Sequence, residues 1–184
     1  MTEGTETEIV RIGAKLYAED PSAIDLGSYV PIFHGWIQRR EPDGLPIDVA
    51  DYAHVPDGPG VMLIGHEADR AVDLGEGRPG ALYQRKRDLR GTLEERFAAV
   101  LRGAEWTAAQ IERDPAADGV RFGRDEILVR IQDRRLAPND DATLDAVRPA
   151  LEAALAEVHP GRGATIERVT DDPGGPFRAR VRLA

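Results

Sequence analysis

The sequence predicts an α+β fold, a mixed or mainly antiparallel sheet packed by three helices, and three patterns predict it. Residues 9–18 alternate apolar and polar side chains, the period of a strand. Thr92 to Ile111 carries one apolar stripe at helical spacing. The order strand, helix, strand, turn, strand that runs from Val10 to Glu67 returns between Val129 and Val181.

That return suggests an internal duplication. Val10-Arg11-Ile12 corresponds to Val129-Arg130-Ile131, Leu26 to Leu144, Pro31 to Pro149 and Pro42 to Pro160. After an insertion in the first copy, Val55, Asp57, Pro59 and Gly60 meet Val169, Asp171, Pro173 and Gly174. Order and spacing carry this correspondence more than identity, because turns select Gly, Pro and Asp for their own reasons. The expected organisation is a disordered segment 1–7, a first β-α-β-β unit with an extra hairpin over 8–91, a connecting helix over 92–114 and a second unit over 118–184, all in one compact domain.

The elements follow in order. In the first strand Val10, Ile12, Ala14, Leu16 and Ala18 share one face, with Arg11, Lys15 and Tyr17 on the other, as in a half-buried strand. Asp25 or Ser28 can cap a helix that places Val30, Phe33 and Ile37 on the core and runs to Arg40; Pro31 then belongs in or near its first turn. Glu41-Pro42-Asp43-Gly44 ends it. Ile47 to Val55 reads as a strand, residues 56–60 as a tight turn, and Val61 to Glu67 as a strand apolar on both faces, hence central. Ala68 to Leu74 and Ala81 to Arg87 form a further hairpin around a Gly-rich turn. Thr92 with Glu95 makes a capping box for the helix bearing Leu93, Phe97, Val100, Leu101, Ala104, Ala108 and Ile111. The second unit has a strand at Glu126 to Ile131, a helix through Leu144, Val147, Leu151, Leu155 and Val158, and a hairpin of Ala164 to Val169 with Phe177 to Leu183. In that last strand Arg178, Arg180 and Arg182 share the face opposite Phe177, Ala179, Val181 and Leu183.

Composition bounds the function. With 184 residues, 41% hydrophobic and 31% charged, the chain can bury a real core, and it has no apolar run of the roughly 20 residues a membrane helix needs. Its acidic, polar start lacks the pattern of a signal peptide, so a cytoplasmic location is expected. The absence of cysteine excludes disulfides, thiolate metal sites and cysteine nucleophiles. A net charge of −9 argues against coating nucleic acid, whose phosphates demand neutralisation. Basic residues are almost all arginine, Lys15 and Lys86 being the lysines, a bias of GC-rich bacterial genes.

Candidate chemistry concentrates in the first unit. Three of the four histidines, His34, His54 and His66, lie there, and their counterparts in the second are Glu152, Arg168 and Arg180. With Glu67 and Asp69 they are the right ligand types for zinc, iron or manganese. A five-residue turn between Val55 and Val61 would, however, set His54 and His66 about 13 Å apart along the strands, beyond the reach of one ion. His66 and Glu67, where a buried strand meets a polar loop, are candidates for general acid and base. Tyr83 and Arg85 share a strand face with Arg87 and offer a guanidinium fork to a phosphate or carboxylate. No phosphate-loop, dinucleotide, nucleophile-elbow or zincin motif is present. Trp36 and Trp106 read as core or interface residues.

Three readings remain open. The first is a binding or accessory module with a polar pocket formed by His34, Tyr52, His54, His66, Glu67, Tyr83 and Arg85, taking a small anionic molecule. The second is an enzyme with His66 and Glu67 as acid and base and Arg85 holding an anionic substrate, with or without a metal. The third is a structural homodimer. No nucleic acid or membrane partner is expected, and no cofactor is indicated.

Overall fold

The computed structural model describes residues 9–87 and 90–184; the segment 1–7, expected to be disordered, lies outside them. Among the described residues the strands are β1 (Ile12–Ala18), β2 (Pro46–Tyr52), β3 (Gly60–Gly65), β4 (Ala68–Asp73), β5 (Gly80–Arg85), β6 (Phe122–Ile131), β7 (Ala164–Arg168) and β8 (Phe177–Leu183). They form one sheet in the order β2-β3-β4-β5-β1-β6-β8-β7, and every pairing is antiparallel. The helices are α1 (Leu26–Arg39), α2 (Leu93–Arg113) and α3 (Asp141–Val158). The α+β class, the three helices and the extra hairpin are as the sequence predicts.

The duplication is not established. β6 and β8 pair directly, whereas β1 and β3 are separated by the hairpin β4–β5, which lies inside the sheet rather than beside it. Three further expectations are corrected. β3 is one strand in from the edge β2, not at the sheet's centre, which falls between β5 and β1. The β2–β3 register differs as well: Asp51, not Val55, pairs with Val61. Asp51 accepts a hydrogen bond from Ala53 N at 2.8 Å, and the turns Val55 N to Tyr52 O and Gly58 N to Val55 O consume the segment that alternation alone would extend into a ladder. The third concerns α1, which starts at Leu26 with Asp25 accepting from Gly27 N, so Pro31 lies inside the helix.

One apolar cluster unites the helices with a single face of the sheet. Ile12, Ala14 and Leu16 of β1, Val61 and Leu63 of β3, Ala81 of β5 and Ile127 and Val129 of β6 meet Phe33, Trp36, Phe97, Leu101 and Leu151 from the helices. Thr92 and Glu95 complete the capping box that starts α2, and this helix packs on β1, β5 and α3. His159 caps the end of α3, buried against Glu105 of α2 with Nδ1 3.5 Å from the carboxylate; burial holds its pKa below the ordinary histidine value.

The opposite face of the sheet also holds buried polar side chains. Lys15, expected on a half-buried face, is 0% exposed: its Nζ donates to Asp73 Oδ2 at 2.6 Å, Gly75 O at 2.7 Å and Glu76 Oε2 at 3.3 Å. The turn after β4 folds back over this face to supply two of those acceptors. Arg78 of the same connection lies over the Tyr17 ring, 3.6 Å from its centroid, and pairs with Glu126 at 2.6 Å. The arginine face of β8 is equally engaged: Arg178 with Asp171 and with Glu76, Arg180 with Glu126 at 3.2 Å and Arg182 with Glu167 at 3.0 Å. No helix among the described residues is long and apolar enough to cross a membrane.

Candidate anion-binding cleft

β4 alternates in an unusual way. Ala68 and Val72 point at the helical layer, as core strands require, and Arg70 between them must point the same way. Its side chain is therefore carried into the apolar layer, and the residue is 7% exposed. Across the strand pair Arg70 faces Tyr83 of β5. Its Cζ lies 5.0 Å from the centroid of the Tyr83 ring and 5.1 Å from that of Trp106 of α2, so the cation is held between two aromatic rings.

The two rings are themselves fixed. A Cβ on Gly103 would come within 2.6 Å of the Tyr83 ring, so glycine at this point of α2 is what allows the helix to approach β5. A glycine inside a helix costs about 1 kcal/mol relative to alanine, and the close approach over Tyr83 is the compensation. Trp106 packs edge-on against Trp36, centroids 5.4 Å apart, which ties it to the core.

Among the described residues Arg70 has no anion paired with it. Its Nε has no hydrogen-bond partner, and no carboxylate pairs with its guanidinium among the described residues. Burial pushes its pKa below the ordinary arginine value; Tyr83 and Asp43 act in the other direction and Arg85 in the same one. A cleft of about 420 Å³ opens in front of it, with Asp43, Arg85, Arg102 and Trp106 in its wall. Three cations thus face one carboxylate. Arg85 is held by Glu67 at 3.0 Å and lies 3.4 Å from the Tyr83 hydroxyl, and Arg102 is paired with Glu157 at 2.6 Å at the rim.

Of the residues singled out in the sequence, the structure brings Tyr83, Arg85 and Glu67 together here. His34, Tyr52, His54 and His66 are solvent-exposed, on α1, at the end of β2, in the following turn and after β3, and line none of the clefts described here. Glu67 is engaged by Arg85, so His66 and Glu67 do not form a buried acid–base pair. No group of three or more His, Asp or Glu side chains that could hold a metal ion is found among the described residues. Arg70, Arg102 and Trp106 are members the sequence reading missed. For Arg70 the signal was its parity, since it shares a strand face with Ala68 and Val72; for Trp106 there was none, because α2 meets β4 only in three dimensions.

Comparison with known proteins finds no matching family model, no matching curated protein and no matching solved structure. The function must be read from the cleft itself.

Proposed function

We propose that this chain is a small binding module that holds an anionic small molecule, bearing a carboxylate or phosphate, between β4–β5 and α2. Arg70 is the anchoring cation, with Arg85 and Arg102 at the mouth of the cleft. The observation that carries this reading is Arg70 itself, 7% exposed, with its guanidinium over two aromatic rings and no counter-ion among the described residues. A buried charge is ordinarily paired, and a bidentate oxyanion would supply the missing bonds. Among the described residues the cleft lining contains no histidine, serine or threonine, and its groups are chiefly arginines and aromatic rings, which suit binding.

The protein reports on its own site, because Trp36 and Trp106 are its two tryptophans and they touch. Titration with inorganic phosphate and with citrate is expected to change tryptophan emission saturably, with affinity falling as salt rises, and Arg70→Met is expected to abolish the change. An identical response in the variant, or no response to either probe, would end the proposal.

A second reading, association of two copies, rests on a different observation. Among the described residues the exposed large hydrophobic side chains, Leu45 (64%), Ile47 (57%) and Tyr52 (38%), all lie on or beside β2, an edge strand with no partner strand on its outer side. Such an edge favours pairing with another chain. Sedimentation should then show a concentration-dependent dimer that Ile47→Lys converts to monomer; a wild-type chain that stays monomeric at high concentration excludes it.

A further inference from the structure

The helix-free face carries a second cavity, about 550 Å³, between the turns at 57–59 and 75–76 on one side and 171–176 on the other. It shares no lining residue with the cleft at Arg70. Arg130 and Arg178 are the cations of its lining. Arg178 is 7% exposed and engaged by Asp171 and Glu76. Arg130 is half-buried, and its one hydrogen bond among the described residues runs from Nε to Gln84 Oε1 at 2.8 Å. The terminal nitrogens of Arg130 are therefore the uncommitted donors of the cavity. Gly13 of β1 makes that arrangement, because a Cβ there would lie 2.3 Å from Gln84 Oε1 and 3.2 Å from Arg130 Nε.

The acids divide in the same way. Asp73, Glu76 and Asp171 are taken up by Lys15 and Arg178. Asp57 and Asp172, both exposed, stand on opposite rims without an ion-pair partner among the described residues. A dianion would meet these carboxylates, and a simple cation would meet the uncommitted guanidinium. Asp57 Oδ1 also accepts from Gly77 N at 3.1 Å, yet one cation with open terminal donors and rim carboxylates without an ion pair, among the described residues, fits a ligand of both signs.

We propose that this cavity binds a small zwitterion of about dipeptide size, its carboxylate on Arg130 and its ammonium at Asp57 or Asp172. The cavity lies within the range of volumes that hold small organic ligands. The reading is independent of the cleft at Arg70.

Calorimetric titration with alanyl-alanine, its N-acetyl form and its C-terminal amide tests it. The free dipeptide is expected to bind, and each blocked form to bind at least about tenfold more weakly. Arg130→Gln should abolish binding, whereas Arg70→Met should leave it unchanged. Asp57→Asn with Asp172→Asn, two exposed positions that do not threaten the fold, should erase the preference for the free over the N-acetylated dipeptide. Equal binding of free and blocked forms, binding retained in folded Arg130→Gln, or no heat from any of the three peptides would overturn the proposal.

Discussion

Replacing Lys15 by methionine is expected to destabilise the fold by about 3–5 kcal/mol, the cost of leaving one member of a buried ion pair behind. At about 2–4 °C per kcal/mol for a chain of this size, the melting temperature should fall by roughly 6–20 °C. The reason lies in the position of Nζ, which is 0% exposed and meets three oxygens, one for each proton. Without it Asp73, itself 5% exposed, loses the ammonium it pairs with at the end of β4, and the turn after β4 loses its anchor. The attraction within such a pair does little more than offset its desolvation, so removing both charges should cost far less than removing one. The double variant Lys15→Met with Asp73→Leu is therefore expected to recover most of the loss, short of about 1 kcal/mol for the hydrogen bond that Gly75 N makes to Asp73. Thermal and urea unfolding of the two variants measures both quantities. A single variant within 1 kcal/mol of the wild type would show that the network is not buried as described.

Lys15 also marks the limit of what alternation can say. Period-two patterning placed β1 and put its apolar face on the helices, because that face is chosen by the sequence of the strand itself. Arg11 is indeed exposed, but Lys15 and Tyr17 were read as wet too, because what covers them arrives from residues 75–78, some sixty positions away. A signal was nevertheless present. In a chain that uses arginine almost throughout, Lys15 and Lys86 are the exceptions, and both end on aspartates, Asp73 at 2.6 Å and Asp69 at 2.7 Å. A compact ammonium fits a narrow site where a planar guanidinium does not.

Capping shows the opposite case, where local chemistry suffices. Thr92 and Glu95 bond each other's backbone N–H groups, and the start of α2 was legible without any tertiary knowledge. The start of α1 was legible only as a choice between Asp25 and Ser28, and placing Pro31 in or near the first turn did not decide it for Asp25, which is the cap. For the candidate site, Tyr83 and Arg85 were visible as a strand face within a basic stretch. The histidines drew attention by residue type alone, and the turns that separate them follow the β2–β3 register, which side-chain hydrogen bonding rather than hydrophobic period decides.

Arg70→Met is expected to do two things that a structural arginine would not do together. In anion-free buffer the variant should be more stable than the wild type by about 1 kcal/mol, a rise of roughly 2–4 °C in melting temperature. The sign follows from weighing two effects. Burying the guanidinium costs several kcal/mol after relaxation, while stacking on two rings returns about 1–2 kcal/mol each, and no carboxylate among the described residues makes up the difference. Methionine fills similar space between the same rings without a charge to desolvate. Added phosphate or citrate should then raise the melting temperature of the wild type, by linkage to the folded state, and leave that of the variant unchanged. With two charge-assisted hydrogen bonds lost, affinity should fall by at least about a hundredfold. A variant that is less stable than the wild type in anion-free buffer would make Arg70 a packing residue whose rings already satisfy it. The argument for a bound anion would then lose its ground, because it rests on a cation left in deficit by the fold and completed by the ligand.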